Sequence, residues 1–203
     1  QEPEANMEIL EKHMHHTALL LEEICGSTIL KWAGDIFNTK FQFTAEDLEF
    51  LVKNNPIIPA GRENIFLAGL YHGLKGEIYI SLHILAPQVE NLFRCIAENA
   101  GAIMTTLKDD DTSDAKLLTS IFDTPELVEC YDNDVLFLLK GLLNEKTGAN
   151  IRNEIAHGLM GEQKGCNGAA RFFLCWVLRL LSYTSGECQE ILMTSENLQK
   201  ESK

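Results

Sequence analysis

The chain has 203 residues, 45% hydrophobic and 23% charged, and its 17 Lys and Arg against 30 Asp and Glu give a formal net charge of −13. This composition is typical of a globular chain that buries a sizeable core. No window approaches about 18 uninterrupted apolar residues, and no basic segment precedes an apolar one at the N-terminus, which argues against a membrane span and an intact signal peptide. The acidic charge disfavours a general electrostatic grip on nucleic acid, so any such role depends on a local site.

The cysteine pattern indicates the compartment. None of the six cysteines forms a Cys-x-x-Cys pair, and several lie in apolar runs. We therefore expect a reduced, cytoplasmic protein without a disulfide framework, structural zinc or cofactor. Because the first residue is Gln1, we also expect a trimmed chain or the C-terminal part of a longer protein with a missing N-terminal domain.

The N-terminal part is predicted to be helical, since apolar residues recur at helical spacing throughout the chain and no segment alternates convincingly with a period of two. A first helix is predicted over about residues 3–24, ended by Gly26, with Ser27 capping the next. Thr44 and Asp47 resemble a capping box before a helix over about 45–53.

The turn-rich stretch 54–61 is the best internal boundary. We expect an N-terminal helical extension over 1–60, a helical bundle over 61–190 and a mobile tail over 191–203. The predicted fold class is all-α.

Within the bundle, helices are predicted near 63–72 and over about 77–99, the latter kinked near Pro87 because proline cannot donate to His83. A solvated loop over 108–114 and a short helix near 115–122 come next.

Further helices close the chain. Asp132 or Asn133 is expected to cap an apolar helix that Gly148 ends, and Asn150 to cap a short one. The last helix, over about 172–181, is apolar nearly all round, which indicates a central helix or a subunit interface.

Three histidines cluster near the N-terminus. His13 and His16 share a helical face, which is an arrangement that two metal ligands can have, and His15 lies between them. Because no third ligand is evident, we expect a solvated helix face rather than a metal site.

The most informative string is NIRNEIAHG, from Asn150 to Gly158. If Asn150 caps a helix, Arg152 and Asn153 lie in its first turn, where free N–H groups favour an anion. His157 follows Arg152 by five residues, which is about 140° round a regular helix, and Gly158 predicts that the helix ends at His157, so that the imidazole can turn back.

These residue types suit cleavage of a ribose-phosphate backbone without metal. His157 would accept the proton of the 2′-hydroxyl or return one to the leaving oxygen, Arg152 would bind and stabilise the phosphate, and Asn153 would orient them. The alternative is structural: Arg152 pairs with a nearby acid and His157 merely ends a helix.

The same string resembles the signature of the HEPN superfamily of helical bundles, in which an Arg, a polar residue and a His recur at this spacing. Residues 66–94, with the string APQVEN, and residues 138–160 more specifically resemble the bacterial domain-of-unknown-function 4209 family. The resemblance implies an α-bundle that often dimerises and brings two Arg/His sites toward one cleft. It also implies metal-independent ribonuclease activity in many members and a binding or dimerisation role in others.

A second group of polar residues, on the predicted 77–99 helix, comprises Gln88, Glu90, Asn91 and Arg94. Glu90 and Arg94 stand at i and i+4, as in an exposed ion pair. Gln88 and Asn91 share a face, so they either line the cleft, with Asn150 as a further substrate contact, or brace Arg152.

The sequence thus predicts a homodimeric endoribonuclease acting on RNA. The alternative is a non-catalytic dimerisation or nucleotide-binding module, which the net charge favours.

Overall fold

The computed structural model is predominantly helical, and it describes residues 2–107, 113–115, 121–186, 188 and 190. A π-helical turn (Gly26–Leu30) joins α1 to α2, and a 3-10 helix (Glu46–Leu51) precedes α3. Strands β1 (Thr105–Leu107) and β2 (Ser113–Ala115) pair antiparallel between α4 and α5. The α-helices are α1 (Glu2–Cys25), α2 (Lys31–Lys40), α3 (Glu63–Leu74), α4 (Ile78–Asn99), α5 (Pro125–Cys130), α6 (Asn133–Leu143), α7 (Ile151–Ala156), α8 (Glu162–Gly165) and α9 (Gly168–Thr184).

Helix α4 lies at the centre and packs against α3, α5, α7, α8 and α9. Its Phe93 is fully buried, and the ring centroids of Phe122, Tyr131 and Trp176 lie 5.3, 5.5 and 6.2 Å from that of Phe93. Aromatic rings at these distances add to the apolar burial. The core thus fixes α4, the helix that carries Glu90. Pro87 lies inside α4 and does not interrupt it.

The predicted break at Gly26 is wrong. The chain continues from α1 through the π-turn into α2, and Ser27 bonds back to the Glu23 carbonyl at 2.5 Å instead of capping a new helix. An ideal Cβ on Gly26 would lie 1.9 Å from the carbonyl oxygen of Gly168. Gly26 therefore permits a close approach to α9 rather than ending a helix.

The predicted capping box is present in part. The Asp47 carboxylate accepts from the backbone N–H of Thr44 at 2.8 Å, and the helix that follows is the 3-10 turn. After it, buried Asn55 donates to the carbonyls of Leu51 and Leu181 at 2.8 and 3.1 Å. These bonds hold the turn-rich stretch on α9, while the domain division remains a prediction.

The hairpin was not predicted: Ser113 and Asp114 lie in β2 rather than in a solvated loop, and Ala115 in a strand rather than a helix. The rest of those predictions, over 108–112 and 116–120, and the tail over 191–203 lie outside the described residues.

The Asp132 cap is confirmed, since its side chain accepts from the Asp134 N–H at 2.9 Å.

The histidine prediction was wrong for His15, whose side chain is buried and stacks on Phe137 with ring centroids 4.0 Å apart. His13 and His16 are exposed, and no group of metal-binding side chains occurs within the described residues. In the same part of the chain, every helix is too short or too polar to cross a bilayer.

Candidate functional site

Helix α7 is short, and the loop before it fixes its position. An ideal Cβ on Gly148 would lie 2.2 Å from the Gly141 carbonyl oxygen, so only glycine allows the loop to pack this closely on α6. The N–H of Asn150 donates to the same carbonyl at 3.3 Å. Asn150 adopts a left-handed conformation, with φ 53°, and reverses the chain into α7.

Asn150 occupies the predicted capping position without capping the backbone. Its Oδ1 instead accepts from Nδ2 of Asn153 at 2.9 Å, and the same Nδ2 donates to the Asn144 carbonyl at 3.1 Å. The left-handed backbone of Asn150 accounts for the difference, because a capping side chain needs an extended residue. Asn153 is thus held by the loop that precedes its own helix.

Arg152 projects from the first turn of α7 onto Glu90 of α4. Its Nε lies 2.5 Å from Oε2 of Glu90 and its Nη2 3.3 Å from Oε1, which is a bidentate contact. Nη2 of Arg94, one turn along α4, lies 2.8 Å from the same Oε1. The sequence predicted the Glu90–Arg94 pair on an exposed surface, but Glu90 is buried.

The three charges form a compact network. Burial alone would raise the pKa of Glu90, but the hydrogen bonds from Arg152 and Arg94 outweigh it and hold the pKa below its ordinary value. The carboxylate is therefore ionised and shared by two guanidinium groups. Both ion pairs of this network, Glu90 with Arg152 and Glu90 with Arg94, lie on or against α4 in a chain that is strongly acidic as a whole.

Arg152 keeps donors for a further partner. Of its five N–H groups, the one on Nε and one of the two on Nη2 engage Glu90, and one of the two on Nη1 makes a long contact of 3.4 Å with Oδ1 of Asn153. About a quarter of the Arg152 side chain (27%) is exposed. Two N–H groups therefore lack an acceptor among the described residues.

His157 ends α7, as the Gly158 signal predicted. The N–H of Gly158 donates to the Ile155 carbonyl at 3.1 Å and the N–H of Leu159 to the Glu154 carbonyl at 2.8 Å. This is the Schellman pattern, and Gly158 supplies its left-handed residue with φ 67°. The imidazole of His157 is exposed and bonds to no described residue, including Arg152 and Asn153.

Gln88 and Asn91 do not bond to Arg152. Oε1 of Gln88 instead accepts from Arg62 at 3.4 Å, and Asn91 is half-buried on the same side of α4. The two positions share a face as expected, but it is Glu90 that braces Arg152. Arg62, just before α3, belongs to this surface and was missed because no periodic or capping signal marks it.

An apolar cleft of about 340 Å³ lies elsewhere, between α2, the turn before α4, and α9. Its walls include Phe37, Leu74 and Leu174, and none of the predicted site residues lines it. The candidate site on α4 and α7 is therefore separate from this cleft.

Compared with protein-family models, curated proteins and solved structures, the chain matches none of them. Any function assigned to this site therefore depends on its own chemistry.

Proposed function

We propose that the protein is a metal-independent endoribonuclease of HEPN type that acts as a homodimer. The observation that supports it best is the placement of an exposed, unbonded imidazole, that of His157, five residues after a guanidinium fixed by Glu90. A general base must be able to reach substrate, and a phosphate-binding group works best when it is oriented beforehand.

In this mechanism His157 accepts the proton of a ribose 2′-hydroxyl. The 2′-oxygen attacks the adjacent phosphorus, the bond to the 5′-oxygen breaks, and a protonated imidazole returns a proton to that oxygen. The products are a 2′,3′-cyclic phosphate and a 5′-hydroxyl end. The two spare N–H groups of Arg152 stabilise the charge on the non-bridging oxygens.

Asn153 has a positioning role here. Its Nδ2 is fixed by Asn150 and Asn144, so its Oδ1 is aimed at Nη1 of Arg152. Gln88, Asn91 and Arg94 extend the polar surface along α4 beside Arg152, and we include them as candidate substrate contacts.

The test uses a pooled RNA with EDTA present and compares wild type with His157→Ala. We expect the variant to cleave at least about 100-fold more slowly, since general acid–base groups contribute about 10²–10⁴-fold. His16→Ala is the matched control, because it removes another exposed imidazole, on α1. Equal rates for wild type and His157→Ala, or no cleavage by wild type, would reject the proposal, as would cleavage of an all-deoxy substrate.

A second candidate is a non-catalytic dimerisation or nucleotide-binding module, and the buried Glu90 favours it. The Glu90 carboxylate already pairs with the Arg152 guanidinium. This pair joins α4 to α7, and the negative charge of Glu90 reduces the attraction of Arg152 for a phosphate. This function predicts intact RNA in the same assay, and a His157→Ala variant that differs from wild type only in stability or in nucleotide affinity.

A further inference from the structure

Helix α1 carries an apolar stripe that the rest of the described chain does not cover. Its members, which we call the α1 seam, recur at steps of three and four residues: Met7, Leu10, Met14, Thr17, Leu21 and Ile24. The five apolar members are between 48% and 70% exposed. Alternating steps of three and four are the a and d positions of a coiled coil.

The opposite side of α1 is the one that packs on the protein. His15, Glu22 and Gly26 are buried, and Leu19 packs on the core. His15, Leu19, Glu22 and Gly26 are separated by four, three and four residues. They therefore occupy the b and f positions of the same heptads, which face away from a and d. The seam therefore points to solvent because the helix is anchored by its other face.

The π-turn continues the stripe. Ile29 follows Ile24 by five residues and Trp32 follows three later, and these two side chains are 64% and 67% exposed. A π-turn inserts about one residue into an α-helix. A five-residue step across it consequently keeps Ile29 near the seam.

We propose that the α1 seam binds the same seam of a second copy of this chain as an antiparallel helix pair. In the register of fullest overlap, position i faces position 31 − i. Met7 then faces Ile24, Leu10 faces Leu21, and Met14 faces the small Thr17. Each a residue meets a d residue, as antiparallel packing requires, and the two helix dipoles oppose each other favourably.

The charges beside the seam allow two copies to approach despite the net charge of −13. The e positions are Glu4, Glu11, Ala18 and Cys25 and the g positions are Asn6, His13, Leu20 and Ser27, so the acidic residues among them are Glu4 and Glu11. In the antiparallel register the Glu4 position lies beside Cys25 and the Glu11 position beside Ala18 of the second copy, so neither faces another acidic residue. Like-charge repulsion at the contact is thereby small.

The exposed area corresponds to a small interface. Full burial of a large apolar side chain removes about 60–120 Å² from water at 25 cal/mol per Å². The five apolar seam members are about 60% exposed, so they bury about 180–360 Å² of apolar surface per chain. This area, with the polar flanks added, lies at the low end of specific interfaces and predicts a weak dimer that forms at micromolar or higher concentrations. Because α1 is already folded against the body, association costs little helix-ordering entropy.

Light scattering after size exclusion tests the proposal on the full chain. We expect wild type to be dimeric. Leu10→Glu places a charge against Leu21 of the second copy, and Leu21→Lys places one against Leu10, so each single variant is expected to shift the protein toward monomer. The double variant Leu10→Glu/Leu21→Lys is expected to restore the dimer, because Glu and Lys then face each other twice. Ile103→Glu, at another exposed apolar position, is the matched control.

A monomeric wild type at about 100 µM would overturn the proposal, and so would a dimer that both single variants leave unchanged. A double variant that stays monomeric would overturn the antiparallel register. The proposed function includes a homodimer, so a monomeric wild type would contradict that part of it as well. RNA cleavage is measured separately: a monomer whose cleavage depends on His157 would overturn the seam but keep the ribonuclease chemistry, and a dimer that cleaves no RNA would reject the chemistry but keep the seam.

Discussion

Glu90 and Arg152 stand 62 residues apart in sequence, yet Oε2 of Glu90 lies 2.5 Å from Nε of Arg152. The contact joins the central helix α4 to the short helix α7. It is the one ion pair described between these two helices, and Glu90 is buried beneath it. This pair sets both the position of the candidate phosphate-binding group and part of the stability of the bundle.

Glu90→Gln keeps the shape of the side chain and removes its charge. We expect the free energy of unfolding to fall by about 2–4 kcal/mol, because Arg152 and Arg94 lose a shared, partly desolvated carboxylate. Urea denaturation measures the change, with Glu98→Gln at the exposed end of α4 as the control. A loss no larger than that of the control would show that the pair contributes little to stability.

The coupling between the two residues can be isolated. In a double-mutant cycle of Glu90→Gln and Arg152→Gln, we expect a coupling energy of about 1–3 kcal/mol, since Glu90→Gln leaves the partly buried Arg152 without its carboxylate and Arg152→Gln leaves buried Glu90 with Arg94 as its remaining described cation. Strictly additive losses would mean that the two residues act independently.

Sequence reasoning predicted the local features of the candidate site but not the contact between α4 and α7 that supports it. The end of α7 at His157 follows from Gly158, and the Glu90–Arg94 pair from its four-residue step, because both depend on neighbours in the chain. The Glu90–Arg152 pair depends on how α4 packs against α7, and no local pattern encodes that.

Gly158→Ala tests the backbone turn that presents His157. With φ 67°, an added Cβ is strained although it meets no atom within 4 Å. We expect a loss of about 1–2 kcal/mol, and lower RNA cleavage if His157 is the general base, because the turn that presents the imidazole is disturbed. Gly161→Ala is the matched control, since Gly161 also has open space and its φ is −77°. Equal stability of both variants would contradict the assignment of strain to Gly158.

Gly26 and Gly34 look alike in sequence, since both lie in the N-terminal helical region, but the structure separates them. A Cβ on Gly26 would lie 1.9 Å from the Gly168 carbonyl oxygen, whereas one on Gly34 would meet nothing within 4 Å. The approach of α1 to α9 explains why the predicted break at Gly26 is absent. A glycine signals either a break or a close contact, and the sequence does not distinguish the two.

We therefore expect Gly26→Ala to lose about 2–3 kcal/mol or more, because the backbones of the π-turn and α9 must separate. Gly34→Ala, inside α2, is expected to be neutral or stabilising by up to about 1 kcal/mol, since alanine favours helix. Thermal unfolding of the two variants gives the comparison. A Gly26→Ala protein as stable as wild type would show that α1 and α9 do not approach this closely.

Glu22 and His15 are both buried on α1, and their titrations change the stability of the folded protein with pH in opposite directions. Burial raises the pKa of Glu22 from 4.5 to about 7, with a smaller contribution from Glu23. The folded state then holds the Glu22 proton more tightly than the unfolded state, so this group stabilises folding below about pH 4.5 and loses that contribution as the pH rises through 7. Burial lowers the pKa of His15, so its contribution is complete above about pH 6.5 and is lost as the pH falls through the lowered pKa.

Glu22→Gln separates the two effects, because glutamine stays neutral at every pH. We expect the stability of this variant relative to wild type to increase between pH 4.5 and 7.5 by on the order of 3 kcal/mol, which corresponds to the shift of the Glu22 pKa. What remains in the variant is the His15 dependence, a stability that rises with pH up to about 6.5. Urea titrations at several pH values measure both, and Glu129→Gln, which removes an exposed carboxylate on α5, corrects for the change in net charge. A difference between Glu22→Gln and wild type that does not change with pH would mean that Glu22 is ionised in the folded protein, and that α1 does not bury it.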